Sequence, residues 1–223
     1  MAAVTGVSGT IAATGSAVIL DPLEIERRSF EIIDAEVGPH SFDARQWPVV
    51  RRIIHTTADF DFARATCFAP GAIEAGLAAL RGGAAVLSDT NMVKSGVNKS
   101  RLAAFGSAIH CHVADPEVTA QAKTAGVTRS ILATRKGVAE GCRIFLIGNA
   151  PTALFELLDM VRAGQADPAL VVGVPVGFVG AEESKEALLA SGLPFITCRG
   201  RKGGSAIAAA ILNALMLLAA EPD

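Results

Sequence analysis

The spacing of apolar positions along this chain changes period, and each change marks a new element. Near the N-terminus Asp21-Pro22 reads as a helix start, with the aspartate as cap and the proline in the first turn. Ile25, Ile32 and Ile33 then fall on one face, and Gly38-Pro39 closes the helix. A second helix is expected from about Pro48. Val49, Ile53, Thr56 and Thr57 share one side of it, and Arg51, Arg52 and His55 lie along another. Beyond this, short apolar runs alternate with helical stretches. Strands are expected at 66–69, 84–87, 107–113, 143–147, 170–174 and 195–198. Helices are expected at 70–81, 115–125, 130–140, 152–162, 182–190 and 203–220. Strand–helix alternation with nearly all-apolar strands predicts a mainly parallel sheet covered on both faces, a three-layer α/β/α fold. In such folds ligands bind beyond the carboxyl ends of the strands. With no internal repeat and no linker, residues 21–223 are expected to form a single domain, and residues 1–20 a loose N-terminal extension.

Composition narrows the class. Of 223 residues, 51% are hydrophobic and 19% charged, which suits a packed core and not a disordered chain. A net charge of −2 gives no basic excess for a nucleic-acid partner. The first twenty residues hold no Lys or Arg, unlike a secretory signal. The longest apolar stretch, 205–220, is short of a membrane span of ~20 residues and is interrupted by Asn213, so it reads as a buried C-terminal helix. Cys67, Cys111, Cys142 and Cys198 form no CxxC pair, so neither a zinc motif nor a disulfide framework is indicated. They are read as buried thiols of a cytoplasmic protein.

Three strand-to-helix junctions are rich in glycine: Gly148-Asn149-Ala150-Pro151, the run from Gly173 to Gly180, and the run from Arg199 to Ser205. Glycine admits unusual backbone angles and close approach of a ligand, and helix starts offer N–H groups to anions. The third junction adds Arg199, Arg201 and Lys202. None matches GxGxxG or GxxxxGK[ST], so a nucleotide site has little support. If the three converge, they make a wide, partly basic rim suited to a large anionic ligand; taken singly, each could be only a tight turn.

His55 lies three residues after Arg52, so a helix turns both toward one ligand. Histidine is the side chain best poised to exchange protons near neutral pH. Taken alone, a helical histidine is more often structural. His110 and His112 flank Cys111 on an expected strand and share one face, which could be half of a metal site. No partner cluster stands out, so no metal ligands are assigned. Asp89-Thr90-Asn91-Met92 follows a strand and could line a pocket, cap a helix with Asp89 or Thr90, or both. Arg129 opens a helix and could meet a carboxylate of the ligand or of the protein.

Several of these stretches together resemble the precorrin-8X methylmutase family. They are Glu26-Arg27-Arg28-Ser29-Phe30, the run from Ile54 through His55-Thr56-Thr57-Ala58-Asp59 to Asp61, the run from Gly148 to Phe155, the run from Gly173 to Lys185, and Gly200-Arg201-Lys202-Gly203-Gly204-Ser205. They occur in order over about residues 21–218. The resemblance implies a flavodoxin-like fold, a homodimer, and migration of a methyl group between adjacent carbons of one pyrrole ring of a tetrapyrrole substrate. The product would be hydrogenobyrinate or its cobalt form, cobyrinate, and transfer to or from neighbouring corrin-pathway enzymes would follow. It maps the family's catalytic histidine onto His55 and its Arg-Ser pair onto Arg28 and Ser29. The runs around His55 and Gly203 lean toward the cobalt-dependent branch.

An isomerisation needs no nicotinamide, flavin or methyl donor, so no cofactor is expected; any cobalt belongs to the substrate. His55 would give and regain a proton. Arg28, Arg52, Arg129, Arg199 and Arg201 are the candidates for the substrate's carboxylates, Ser29 and Thr90 for further hydrogen bonds, and Gly177 and Gly204 for leaving room for the ring. A carrier that holds the same tetrapyrrole without turning it over is the alternative, and only catalysis requires His55.

Overall fold

The computed structural model describes residues 11–13, 16–18 and 21–221. The chain divides into two compact units, Met1–His40 and Ser41–Asp223. The expectation of a loose extension over 1–20 falls mostly outside the described residues. Within that stretch β1 (Ile11–Ala13) and β2 (Ser16–Val18) pair antiparallel. The first unit also holds α1 (Pro22–Val37), capped by Asp21, whose side chain accepts from the Leu23 N–H. It ends at Gly38, whose φ of 64° is one that glycine adopts without strain.

The second unit opens with α2 (Gln46–Thr57) and α3 (Phe62–Ala65), which lead into β3 (Thr66–Phe68) and α4 (Ala72–Arg81). Then come β4 (Val86–Ser88), α5 (Asn91–Gly96), α6 (Lys99–Ala104), β5 (Ile109–His110), α7 (Pro116–Ala125) and α8 (Arg129–Ala139). The chain closes with β6 (Ile144–Ile147), α9 (Pro151–Arg162), β7 (Leu170–Gly173), α10 (Ala181–Leu189), β8 (Phe195–Cys198) and α11 (Ser205–Ala220).

The sheet has six strands in the order β3-β8-β7-β6-β4-β5. All neighbours are parallel except β3, which runs antiparallel to β8. Counted along the chain, the parallel strands lie in the order 2-1-3-4-5, the flavodoxin-like arrangement. The order reverses between β4 and β6, so the crevice for a ligand opens at their carboxyl ends. Strands β6, β7 and β8 are buried throughout, as the apolar runs require. Helices α8, α9 and α10 pack side by side, and α11 packs with α2, α4 and α5. The α11 run is apolar nearly all round because it is enclosed by those helices and by β6 and β7. Asn213, its one polar interruption, donates to the Gly96 carbonyl and accepts from the Asn98 N–H, joining the end of α5 to the start of α6.

Some expectations need correction. Of the strand expected over 107–113, only Ile109 and His110 join the ladder, because β5 is an edge strand whose single neighbour, β4, is itself three residues long. Three short helices, α3, α5 and α6, are too brief for periodicity to show. Cys142 and Cys198 are buried, but Cys67 and Cys111 are half-exposed; all four are free thiols. Among the described residues, no helix is long and apolar enough to cross a membrane.

Candidate active site

In the second unit the glycine-rich junctions do converge. The centre is Asp89, just past β4. It is 5% exposed and its carboxylate accepts the N–H groups of Gly148, Asn149 and Ala150 at 3.1, 2.7 and 2.7 Å. This ties the two strands at the reversal point and leaves Thr90 as the true cap of α5, accepting from the Val93 N–H. Burial pushes the Asp89 carboxyl above its ordinary pKa, and the three amides pull it back. Thr90 Oγ1 also lies 3.2 Å from Ser205 Oγ at the start of α11. Gly148 approaches the same turn so closely that a Cβ there would stand 2.8 Å from Ser205 Cα.

The loop after β8 is held from three sides. The Gly204 N–H donates to the Val174 carbonyl at 2.8 Å, and the Gly177 N–H donates to the Arg201 carbonyl at 3.2 Å. Lys185, 0% exposed, donates to the Lys202 carbonyl at 2.6 Å. Burial holds the Lys185 ammonium below its usual pKa, opposed by the neighbouring Cys198 and by Glu182 and Glu186. At the surface Lys202 Nζ meets Asp59 and Asp61, each at 2.6 Å. That ion pair keeps the Asp59 carboxyl below its ordinary range and raises Lys202. It also joins the loop to the end of α2.

His55 stands in the last turn of α2, exposed, opposite the buried Val49, Val50, Ile53 and Ile54 that seat the helix. The helix stops at Ala58, whose φ of 52° is left-handed and whose N–H still reaches the Ile54 carbonyl at 2.7 Å. The turn sends the chain to Asp59 and Asp61, so the His55 run and the Gly200–Ser205 run meet through Lys202. Arg52 is half-buried on the same helix.

The other candidates divide. Arg201 is exposed, lies 3.8 Å from Glu182, and covers the Phe178 ring at 5.7 Å, so it sits between the two glycine loops. Arg199 turns to Glu186 at 3.1 Å, toward α10. Arg129 opens α8 beside the converging edge, because Thr128 and Ser130 both hydrogen-bond Thr152 in the first turn of α9. Gly177 and Gly204 have φ of 153° and 135° and lie on the rim. Arg28 and Ser29 belong to α1 in the first unit, where Arg28 pairs with Glu31 and Ser29 bonds the Ile25 carbonyl.

Two anchors escaped sequence reading. Asp89 bonds amides some sixty positions away, and Lys185 is buried although its helix reads as amphipathic. The only local hint was an acid placed directly after an apolar strand.

The relatives of this chain carry the same architecture. The precorrin-8X methylmutase family model matches residues 24–218. A cobalt-precorrin-8 methylmutase of Priestia megaterium is 48% identical over 201 residues, covering 90% of this chain and 89% of that protein. A precorrin-8X methylmutase of Pseudomonas aeruginosa is 47% identical, covering 88% and 96%. The crystal structure of a precorrin-8x methyl mutase from Thermus thermophilus superposes with a TM-score of 0.83 at 46% identity, over 88% of this chain and 96% of that one. With sequence and fold in agreement over nearly its whole length, this chain belongs to the precorrin-8X methylmutase family.

Proposed function

We propose that this enzyme moves a methyl group between adjacent carbons of one pyrrole ring of cobalt-precorrin-8, or of its metal-free counterpart, giving cobyrinate or hydrogenobyrinate. The observation that carries this reading is the meeting of the His55 helix end with the converged glycine loops through Lys202. His55 lies four residues before Asp59 on that helix end, which supports reading it as the proton donor.

His55 protonates the conjugated ring system beside the migration site and takes the proton back as the product forms. A positioned imidazole contributes ~10²–10⁴-fold to such a step. The glycine loops give a flat macrocycle room, and Arg52, Arg129 and Arg201 meet its carboxylates, with Thr90 adding a hydrogen bond. Arg28 and Ser29 are the positions onto which the family's Arg-Ser pair maps, inside the matched span 24–218. Arg199 has Glu186 as its partner and would have to exchange it for substrate. The reaction has no net redox change, so the chain's own chemistry calls for no cofactor; cobalt enters as part of the substrate. The relatives named for the cobalt substrate favour that branch. We further infer a cytoplasmic homodimer that receives and passes on its tetrapyrrole among corrin-pathway enzymes.

The test is to incubate purified protein with the cobalt-bearing and the metal-free precursor and follow the absorption spectrum. Conversion to the corrin chromophore is expected, lowered ~10²–10⁴-fold in His55→Ala with binding retained. Tight binding without conversion of either precursor makes the protein a carrier. Undiminished turnover in His55→Ala removes the proton-transfer role.

A further inference from the structure

At the β5 edge of the sheet lies a cluster that the methyl transfer does not use. We propose that His110, His112 and Glu140 bind one divalent transition-metal ion of the zinc type, and that this ion pins edge strand β5 to the end of α8. Strand β5 lies one inter-strand step beyond β4, so the cluster stands beside the crevice, on residues to which the methyl transfer assigns no role.

The backbone prepares it. His110 ends β5, and His112 follows two residues on, beyond the ladder, with its ring beside that of His110. The two imidazoles lie nearly parallel, 6.0 Å between centroids and 20° between planes. Glu140 caps the C-terminus of α8, where the exposed carbonyl ends of a helix favour a cation. The ligating atoms of the three residues all lie within 4.8 Å of one another. A tetrahedral zinc ion with bonds of ~2.0–2.1 Å needs its ligands roughly 3.3 Å apart, a distance small side-chain rotations close.

His112 supplies the independent argument. It is only 8% exposed, and its Nδ1 lies 3.0 Å from Asp115 Oδ2. With Nδ1 donating to Asp115, Nε2 faces the cluster, the arrangement that orients metal-bound histidines. The buried Nε2 has no well-aligned hydrogen bond, although Glu140 Oε2 is 2.8 Å away. Nε2 and Oε2 are close enough to share one cation. Lys136 is the nearby positive charge. Its Nζ lies 2.7 Å from Asp115 Oδ2 and also meets Glu117, so two carboxylates balance it. Two imidazoles and one carboxylate suit Zn²⁺ or Co²⁺ better than Mg²⁺ or Ca²⁺, and they leave a fourth position for water.

Untagged protein, stripped with a chelator, is titrated with Zn²⁺ against a chromogenic indicator and separately with Co²⁺. One ion per chain is expected, with visible ligand-field bands for Co²⁺ and a rise in Tm on adding Zn²⁺. His110→Ala and the conservative, exposed Glu140→Gln should each abolish the stoichiometric binding and the Tm rise while the far-UV circular dichroism is kept. Asp115→Asn should weaken binding ~10–100-fold. His55→Ala should bind as wild type. Absence of stoichiometric binding would overturn the proposal, as would binding that survives in the His110→Ala/Glu140→Gln double variant or that is lost in His55→Ala. In each case His112 is only a hydrogen-bonded link between two acids.

Discussion

At the β4–β6 reversal a buried carboxylate holds a glycine-bearing loop by its amide hydrogens; past the end of β8 a buried ammonium holds another by a carbonyl oxygen. Asp89 takes three N–H groups of the 148–150 turn, and Lys185 gives one bond to the Lys202 carbonyl. Both loops bear glycines, which have no side chain to fix the backbone, so a distant charge does it. The two sites differ in how much satisfaction each charge receives. The Asp89 carboxylate is met by three donors, whereas the Lys185 ammonium has one strong acceptor and the Cys198 sulfur at 3.8 Å. The first junction is consequently the rigid floor of the crevice. The second depends also on the surface pair of Lys202 with Asp59 and Asp61, which links it to the His55 helix.

Breaking the first anchor should have the largest effect. Asp89→Ala leaves three amides, one buried and two half-buried, without their acceptor and should cost about 3–5 kcal/mol in urea unfolding. If the loss stays below 1 kcal/mol, water reaches the turn and the contrast with Lys185 fails. Next comes Gly203→Ala. A Cβ there would stand 2.2 Å from the Val174 carbonyl oxygen, so the two glycine loops must separate. We expect about 1–3 kcal/mol of lost stability together with a raised KM, read from unfolding and steady-state rates.

Lys185→Met should cost less, about 1 kcal/mol, because losing the charged hydrogen bond is partly offset by relief of the buried charge. It should also change the pH dependence. With its folded pKa held below 10.5, Lys185 releases its proton earlier in the folded state than in the unfolded chain. Wild-type stability relative to Lys185→Met should therefore rise with pH between the depressed value and about 10.5, and stay level below it. A relative stability that falls across that window would mean the ammonium is favoured by its site. The smallest effect belongs to Lys202→Ala. Its ion pairs are exposed, so unfolding should barely move, while the salt dependence of KM flattens as the loop loses its tie to α2.

Much of the site's composition was legible in the chain: the three glycine-rich junctions, the lone histidine on an amphipathic helix, and the basic loop. The residues that hold those pieces in place were not. Asp89 or Thr90 could cap the helix after β4; Thr90 is the cap, and Asp89 serves a turn that follows another strand. Lys185 drew no role from its local sequence, yet it is enclosed. His110 and His112 lacked a third partner in sequence because Glu140 comes from the far end of α8.

The sequence by itself determined the alternation of elements, the burial of the parallel strands and the identity of α11 as an enclosed helix, because each follows from the period and width of a local apolar pattern. Only the tertiary structure decided which junctions meet, which way β3 runs, and which charges are buried to hold them. Those depend on contacts between positions far apart in the chain, where pairing is set by sheet order and packing and leaves no local period to read.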